Sequence, residues 1–192
     1  MKILALEYGH FDAKLEGAIA CYPDNTLLRN NDDFYVPNFS QEIVAYVGVY
    51  IHFTKIGKCL EPRFVGRYFD EVGVGIKFMA ADAIAHNQSL GLATDFARCF
   101  DTSLAISNDK VKLDGDIRNI SLQVFCNKKE VKLDMSVLAN FSEVISTATK
   151  YFTIKIGDLF FVPCMKMPLQ ITIGDVFDVS LQQQQLLTCT VK

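Results

Sequence analysis

Several features that define common protein classes are missing from this sequence. It has no tryptophan, and its six cysteines form no Cys-x-x-Cys pair, so neither a disulfide scaffold nor a typical zinc site is indicated. The longest apolar run, residues 43–51, is about half as long as a membrane span. The apolar stretch near the first residue is too short for a signal peptide. We therefore expect a cytoplasmic protein with no membrane partner.

An excess of positive charge is also missing. The formal net charge is -3 and the sequence pI is about 5.6. A nucleic-acid-binding protein needs a basic face to neutralise phosphates. We therefore expect no nucleic-acid partner.

What remains is the composition of a globular domain. Half of the 192 residues are hydrophobic and 21% are charged, which is the balance of a chain that buries a core. No Pro/Gly/Ser-rich stretch divides the sequence. The expectation is one domain that spans residues 1–192.

Hydrophobic patterning predicts more strands than helices. The predicted strands are 41–53, 159–162 and 176–181, together with a hairpin of 120–125 and 130–133; the predicted helices begin at Pro62 and at Asn140, where Asn140-x-x-Glu143 has the form of a capping box. Strands that lie before, between and after two helices indicate a mixed α/β, β-rich fold.

Three segments carry a family resemblance: 22–28 (YPDNTLL), 97–103 (ARCFDTS) and 152–161 (FTIKIGDLFF). With Gly157-Asp158 and Gly174-Asp175 at a matching interval, the chain resembles the catalytic domain of the fumarylacetoacetate hydrolase family over its whole length. That family includes acylpyruvate hydrolases, oxaloacetate decarboxylases and isomerases. The resemblance implies a β-sandwich roll with flanking helices, commonly assembled as a homodimer.

The resemblance also implies a Mg2+ or Mn2+ ion, held by a Glu-x-Glu pair and an aspartate, that polarises a dicarbonyl substrate and stabilises an enolate. In this sequence the two glutamate positions fall on Tyr46 and Gly48, and the aspartate position falls on Lys77. An alternative register places Glu42 on the second glutamate position, but Ser40 then occupies the first. Either register leaves the ligand set incomplete, so we expect no Mg2+ or Mn2+ cofactor.

Other functional positions of the family have changed as well. The family's lysine is Arg98, its catalytic histidine falls on Asp12, and its Thr-Gly-Thr-Pro loop falls on 162–165 (VPCM), which contains Cys164. In the pattern that begins at the Lys77 position, only Asp82 keeps a charged residue of the family. No residue is thereby identified as catalytic.

Two of the substituted residues could bind a ligand. Lys77 and Arg98 are candidates to hold a small anion in place of the metal. The alternative for Lys77 is that its side chain extends to solvent. Cys164 would be a nucleophile only with a base beside it, and a buried inert thiol is the simpler interpretation.

Two functional hypotheses follow from the resemblance. The first is a pseudoenzyme, a metal-free binding or scaffold protein with this family's fold. The second is an active hydrolase, decarboxylase or isomerase that acts on a small dicarbonyl acid, of the acylpyruvate or oxaloacetate type, through a rebuilt site.

Overall fold

A computed structural model of the chain describes residues 1–7 and 19–192. The strands of this part are β1 Ile3–Leu6, β2 Ile19–Tyr22, β3 Leu27–Leu28, β4 Ile43–His52, β5 Glu71–Ala80, β6 Leu104–Ile106, β7 Val111–Lys112, β8 Leu122–Cys126, β9 Lys129–Glu130, β10 Leu159–Pro163, β11 Leu169–Gln170, β12 Val176–Leu181 and β13 Gln184–Thr190. The α-helices are α1 Ala81–Ser89 and α2 Phe141–Tyr151. Short 3-10 helices span Asp24–Thr26, Pro62–Arg67, Asp95–Ala97, Ile117–Asn119 and Met135–Asn140.

The larger sheet follows the strand order β2-β1-β10-β4-β5-β6-β3, with β11 also paired to β4 and β7 to β5. Its centre is the long antiparallel pair β4–β5, in which Ile43 lies opposite Ala80 and Ile51 opposite Val72. β1 joins β10 in parallel, and β3 joins β6 in parallel. A second sheet has the order β13-β12-β8-β9.

The two faces of the larger sheet pack into different clusters. Side chains alternate along a strand, so β1 sends Leu4 and Leu6 to the larger cluster and Ile3 and Ala5 to the smaller one. The larger cluster also contains the buried face of α2 and residues of the second sheet. The smaller cluster includes aromatic residues from the strands on either side of β1.

The predicted mixed α/β, β-rich fold is confirmed. The predicted strand 41–53 corresponds to β4, the strand 176–181 to β12, and the hairpin at 127–129 to β8–β9, whose turn residues Asn127 and Lys128 have φ of 51° and 64°. Within the part of the chain that the structure describes, neither α-helix is long and apolar enough to cross a membrane.

Two local predictions about helices are wrong. The helix predicted to begin at Pro62 is a 3-10 helix that ends at Arg67, and the chain then enters β5 at Glu71 and pairs with β4 from Val72 onward. Asn140 precedes α2 as predicted but makes no capping hydrogen bond with its side chain. The 3-10 helix Met135–Asn140 leads directly into α2. The chain is therefore already helical at Asn140, which does not have the extended conformation of a capping residue.

Candidate functional site

The positions that the resemblance assigns to a metal lie next to one another on β4 and β5. Tyr46 lies directly opposite Lys77, and Gly48 lies opposite Gly75. In an antiparallel pair, residues opposite each other place their side chains on the same face. The register that was inferred from sequence therefore collects Tyr46, Gly48 and Lys77 at one place in the sheet.

Lys77 has no exposed surface. Its Nζ atom lies 5.7 Å from the centre of the Tyr46 ring and 5.8 Å from that of Tyr22, both within the range of cation–π attraction. Gly73 and Gly75 precede it on the same face of β5. A Cβ atom at Gly73 would lie 2.2 Å from the Tyr50 ring, so this glycine makes room for an aromatic side chain.

The counter-charge of Lys77 is Glu7, the residue that follows β1. Lys77 donates from Nζ to Glu7 Oε1 at 3.2 Å, and Arg98 donates from Nη1 to Oε2 at 2.6 Å. The Tyr22 hydroxyl also donates to Oε1. Arg98 is held by a further bond, from its Nε to Thr94 Oγ1 at 3.0 Å. We call Glu7, Tyr22, Lys77 and Arg98 the Glu7 cluster.

The surroundings shift the pKa values of Glu7, Lys77 and Tyr22, each for a definite reason. Burial raises the pKa of Glu7, but Lys77, the Tyr22 hydroxyl and Arg98 outweigh it, so this pKa lies below its usual value. Burial lowers the pKa of Lys77, and the Glu7 carboxylate partly offsets that effect. Burial and the adjacent carboxylate both hold the pKa of Tyr22 well above its usual value, which keeps its hydroxyl protonated as a donor.

Gly48 lies against the backbone of β10. A Cβ atom at this position would be 2.1 Å from the carbonyl oxygen of Val162 and 2.7 Å from the Cα of Pro163. Because these neighbours are backbone atoms of a paired strand, they cannot move aside as a flexible side chain could. A glutamate side chain at position 48 would therefore require β4 and β10 to separate.

The described residues at this place do not fit a divalent cation. Such ions require several oxygen ligands, and the position that the resemblance assigns to the third ligand is filled by the Lys77 ammonium group, which would repel them. The carboxylate of Glu7 already accepts bonds from two cationic side chains. Within residues 1–7 and 19–192, no group of three or more His, Cys, Asp or Glu side chains could hold a metal ion.

The alternative register finds no support in the strand pairing. Glu42 precedes β4 and is exposed, whereas Ser40 donates to Asp82 Oδ1 at 2.6 Å. The other oxygen of Asp82 accepts the backbone N–H of Gln41 at 2.9 Å. Asp82 therefore fastens the start of α1 to the segment that enters β4.

The other candidate residues lie elsewhere. Cys164 is fully buried in the larger cluster, and burial raises the pKa of its thiol to about 12, which favours the unreactive thiol over the thiolate. Asp12 lies outside the residues that the structure describes. Asp158, from a segment that carries the resemblance, accepts the backbone N–H groups of Lys2 and Lys155, as an acidic turn residue commonly does.

A cleft of about 340 Å3 reaches the Glu7 cluster from one side. Among the described residues its lining consists of Glu7, Ile19, Ala20, Cys21, Thr94, Asp95 and Arg98. A small molecule that entered this cleft would meet the carboxylate of Glu7 and the guanidinium of Arg98.

Sequence reasoning did not find Glu7 or the role of Tyr22. Glu7 ends an apolar run, Ile3–Leu6, and a single acid at the end of a buried strand is a weak indication of a buried ion pair. A buried lysine requires a counter-charge, but spacing alone could not select one acid among 22. Lys77 and Arg98 were both candidates from the sequence, and the structure places them on the same carboxylate, while their role in binding a ligand stays a prediction.

No protein-family model matches the chain, and no curated protein matches its sequence. Solved structures do match its fold. A protein from Yersinia pestis CO92, described as a putative member of the fumarylacetoacetate hydrolase family, superposes with a TM-score of 0.86 at 16% identity, over 100% of this chain and 92% of that chain.

Two further structures belong to proteins with stated activities. The fumarylpyruvate hydrolase from Pseudomonas aeruginosa, in complex with Mn2+ and pyruvate, has a TM-score of 0.84 at 14% identity and covers 99% of this chain and 88% of that one. The 5-carboxymethyl-2-hydroxymuconate delta-isomerase from Mycobacterium smegmatis has a TM-score of 0.83 at 16% identity, with coverage of 99% and 78%. The chain therefore has the fold of the fumarylacetoacetate hydrolase family.

Proposed function

We propose that this chain is a member of the fumarylacetoacetate hydrolase family that works as a metal-free binding or scaffold protein, that is, a pseudoenzyme. The observation that carries the proposal is the position of Lys77. Its buried ammonium stands opposite Tyr46, where the resemblance puts a metal ligand, and it is paired with Glu7. An internal cation and its own carboxylate take the place of an exchangeable metal ion.

The chemistry of the family supports this proposal. Acylpyruvate hydrolysis and oxaloacetate decarboxylation both build negative charge on an oxygen atom, and the loss of one stabilising contact typically costs about 10² to 10³ in rate. Lys77 cannot chelate two substrate oxygens, since it is a single charge on a flexible stem and its charge is already paired with Glu7. The proposal includes one domain over residues 1–192, a cytoplasmic location and no membrane or nucleic-acid partner.

Lys77 and Arg98 remain the proposed binding residues for a small anionic ligand. Any such ligand would have to compete with the carboxylate of Glu7, which accepts hydrogen bonds from both side chains. The competing hypothesis is an enzyme that acts on a small dicarbonyl acid through these same two residues.

Turnover of acetylpyruvate and oxaloacetate separates the two hypotheses. We expect wild type to stay within about a hundredfold of the uncatalysed rate, with and without Mn2+. Lys77→Ala should behave in the same way, and Lys55→Ala, which alters an exposed lysine, serves as the control. Robust turnover that ignores Mn2+ and disappears only in Lys77→Ala, in a sample of that variant shown to be folded by circular dichroism, would establish the enzyme with a rebuilt site instead.

A further inference from the structure

The donors around Glu7 form the arrangement that a protein uses to bind a free carboxylate. Arg98 reaches one carboxylate oxygen, and Lys77 and Tyr22 reach the other. Charge-assisted bonds to both oxygens of one carboxylate give geometric specificity as well as strength. Three donors from β2, β5 and the turn after Asp95–Ala97 converge here, although none is a sequence neighbour of Glu7.

We propose that Tyr22, Lys77 and Arg98 form a carboxylate-binding site in which the side chain of Glu7 is the resident ligand. In wild type, Glu7 is tethered to β1, so an anionic ligand reaches these donors only by displacing the Glu7 carboxylate, and a simple carboxylate such as acetate does not displace it at about 100 mM. The native chain therefore carries this site in a self-occupied state, and the site becomes available only when the Glu7 side chain is removed or withdrawn.

Among the described residues, the cleft beside Arg98 is the route by which a small molecule would reach the site once Glu7 is shortened. Glu7 and Arg98 both line the cleft of about 340 Å3, and Glu7 keeps 6% of its surface exposed. Glu7→Ala removes Cγ and the carboxyl group, which amount to the four heavy atoms of acetate. Acetate is therefore the ligand that matches the vacated space in both shape and charge.

Acetate binding to the Glu7→Ala variant tests the proposal. We expect saturable binding with a Kd on the order of 10 mM, as suits a four-atom ligand. At 100 mM acetate, compared with chloride at equal ionic strength, the melting temperature of this variant should rise by on the order of 3 °C. Wild type should show no such rise.

Three controls isolate the charge and the cavity. Acetamide has the shape of acetate without its charge and should not stabilise Glu7→Ala. Glu7→Gln keeps the space filled and should not respond to acetate. The double variant Glu7→Ala/Lys77→Met keeps the space but loses one donor, so its response to acetate should fall several-fold.

If Glu7→Ala does not fold in chloride buffer, the yield of refolding becomes the measurement. Acetate should restore soluble, folded protein where chloride and acetamide do not. Equal yields in all three solutions, or equal shifts of the melting temperature in wild type and Glu7→Ala, would overturn the proposal. The result does not depend on whether the chain has catalytic activity, so it is separable from the turnover test.

Discussion

At the scale of single residues, the pairing between Lys77 and Glu7 is the feature on which the account depends. Transfer of a charged group from water to a protein interior costs several kcal/mol unless a partner and hydrogen bonds compensate. Lys77 has no exposed surface, and its compensation comes from the Glu7 carboxylate and two tyrosine rings. Removal of either partner therefore leaves the other one buried without full compensation.

We predict that Lys77→Met lowers the free energy of unfolding by about 3 kcal/mol. This is the lower end of the range for breaking a buried pair, because Arg98 continues to neutralise Glu7. Arg63→Met is the control, because Arg63 pairs with Glu61 at 2.8 Å on the surface. This substitution should lower the free energy of unfolding by no more than about 0.5 kcal/mol. Urea denaturation measures both. Equal, small effects of the two substitutions would contradict the assignment of Lys77 as a buried cation.

The double variant Lys77→Met/Glu7→Gln sharpens this test. When methionine replaces Lys77, removal of the charge on Glu7 costs less free energy of unfolding than in wild type. The loss in the double variant should therefore be smaller than the sum of the losses in the two single variants. Strict additivity would indicate that the two side chains do not interact.

The second residue-scale prediction concerns acid pH. The pKa of Glu7 is lower in the folded chain than the value of about 4.3 in an unfolded chain, so its ionised form favours the folded state. This contribution is fully present above about pH 4.3 and is lost as the pH falls through the lowered value. The stability difference between wild type and Glu7→Gln should therefore narrow below pH 4. A difference that stays constant from pH 6 to pH 3 would count against an ionised Glu7.

At the scale of elements, β4 and β10 approach each other closely at Gly48, the position to which the resemblance assigns the family's second glutamate. We predict that Gly48→Ala destabilises the protein by at least about 3 kcal/mol, the upper part of the range for overpacking, because the added methyl group meets strand backbone. Gly66→Ala is the matched control. A Cβ atom at Gly66 meets nothing within 4 Å, so this change should be neutral or slightly stabilising. The melting temperatures of both variants test this prediction. Similar values would contradict the close approach of the β10 backbone to Gly48.

Sequence patterns predicted strands at β4, β8–β9, β10 and β12 and a helix at α2, but neither the central strand β5 nor the helix α1. β4 and β12 have strong β-branched and aromatic content, and their burial agrees with that pattern. α1 was not predicted, since it follows β5 directly and has Ala80 rather than a capping side chain before it. Local composition cannot reveal a helix whose start is fixed by the end of β5 and by the hydrogen bond from Ser40 to Asp82.

The candidate site was predictable in part. The resemblance gave Tyr46, Gly48, Lys77 and Arg98, because those positions are defined by a register along the chain. Glu7 was not predictable in this way, since its role depends on three donors that are distant in sequence. Charge compensation of a buried lysine is a property of the assembled fold.

At the scale of the whole molecule, the surface offers support for self-association. Phe39 and Phe96 are 49% and 50% exposed, and their ring centres lie 5.9 Å apart. Two neighbouring aromatic side chains are therefore exposed to water. Exposed apolar clusters of this kind often mark an interface. We predict a two-fold homodimer, with a mass by light scattering of about twice the 21.5 kDa of the chain. A single species at the mass of one chain at micromolar concentration would contradict this prediction.

The metal content of the purified protein tests the central claim most directly. The claim is that Lys77 and Glu7 occupy the place of the family's metal ion, so wild type purified with Mg2+ and Mn2+ present should contain far less than one equivalent of either by elemental analysis. EDTA should leave its melting temperature unchanged, because no ion contributes to the folded state. One Mg2+ or Mn2+ per chain, whose removal by EDTA lowers the melting temperature, would contradict the account.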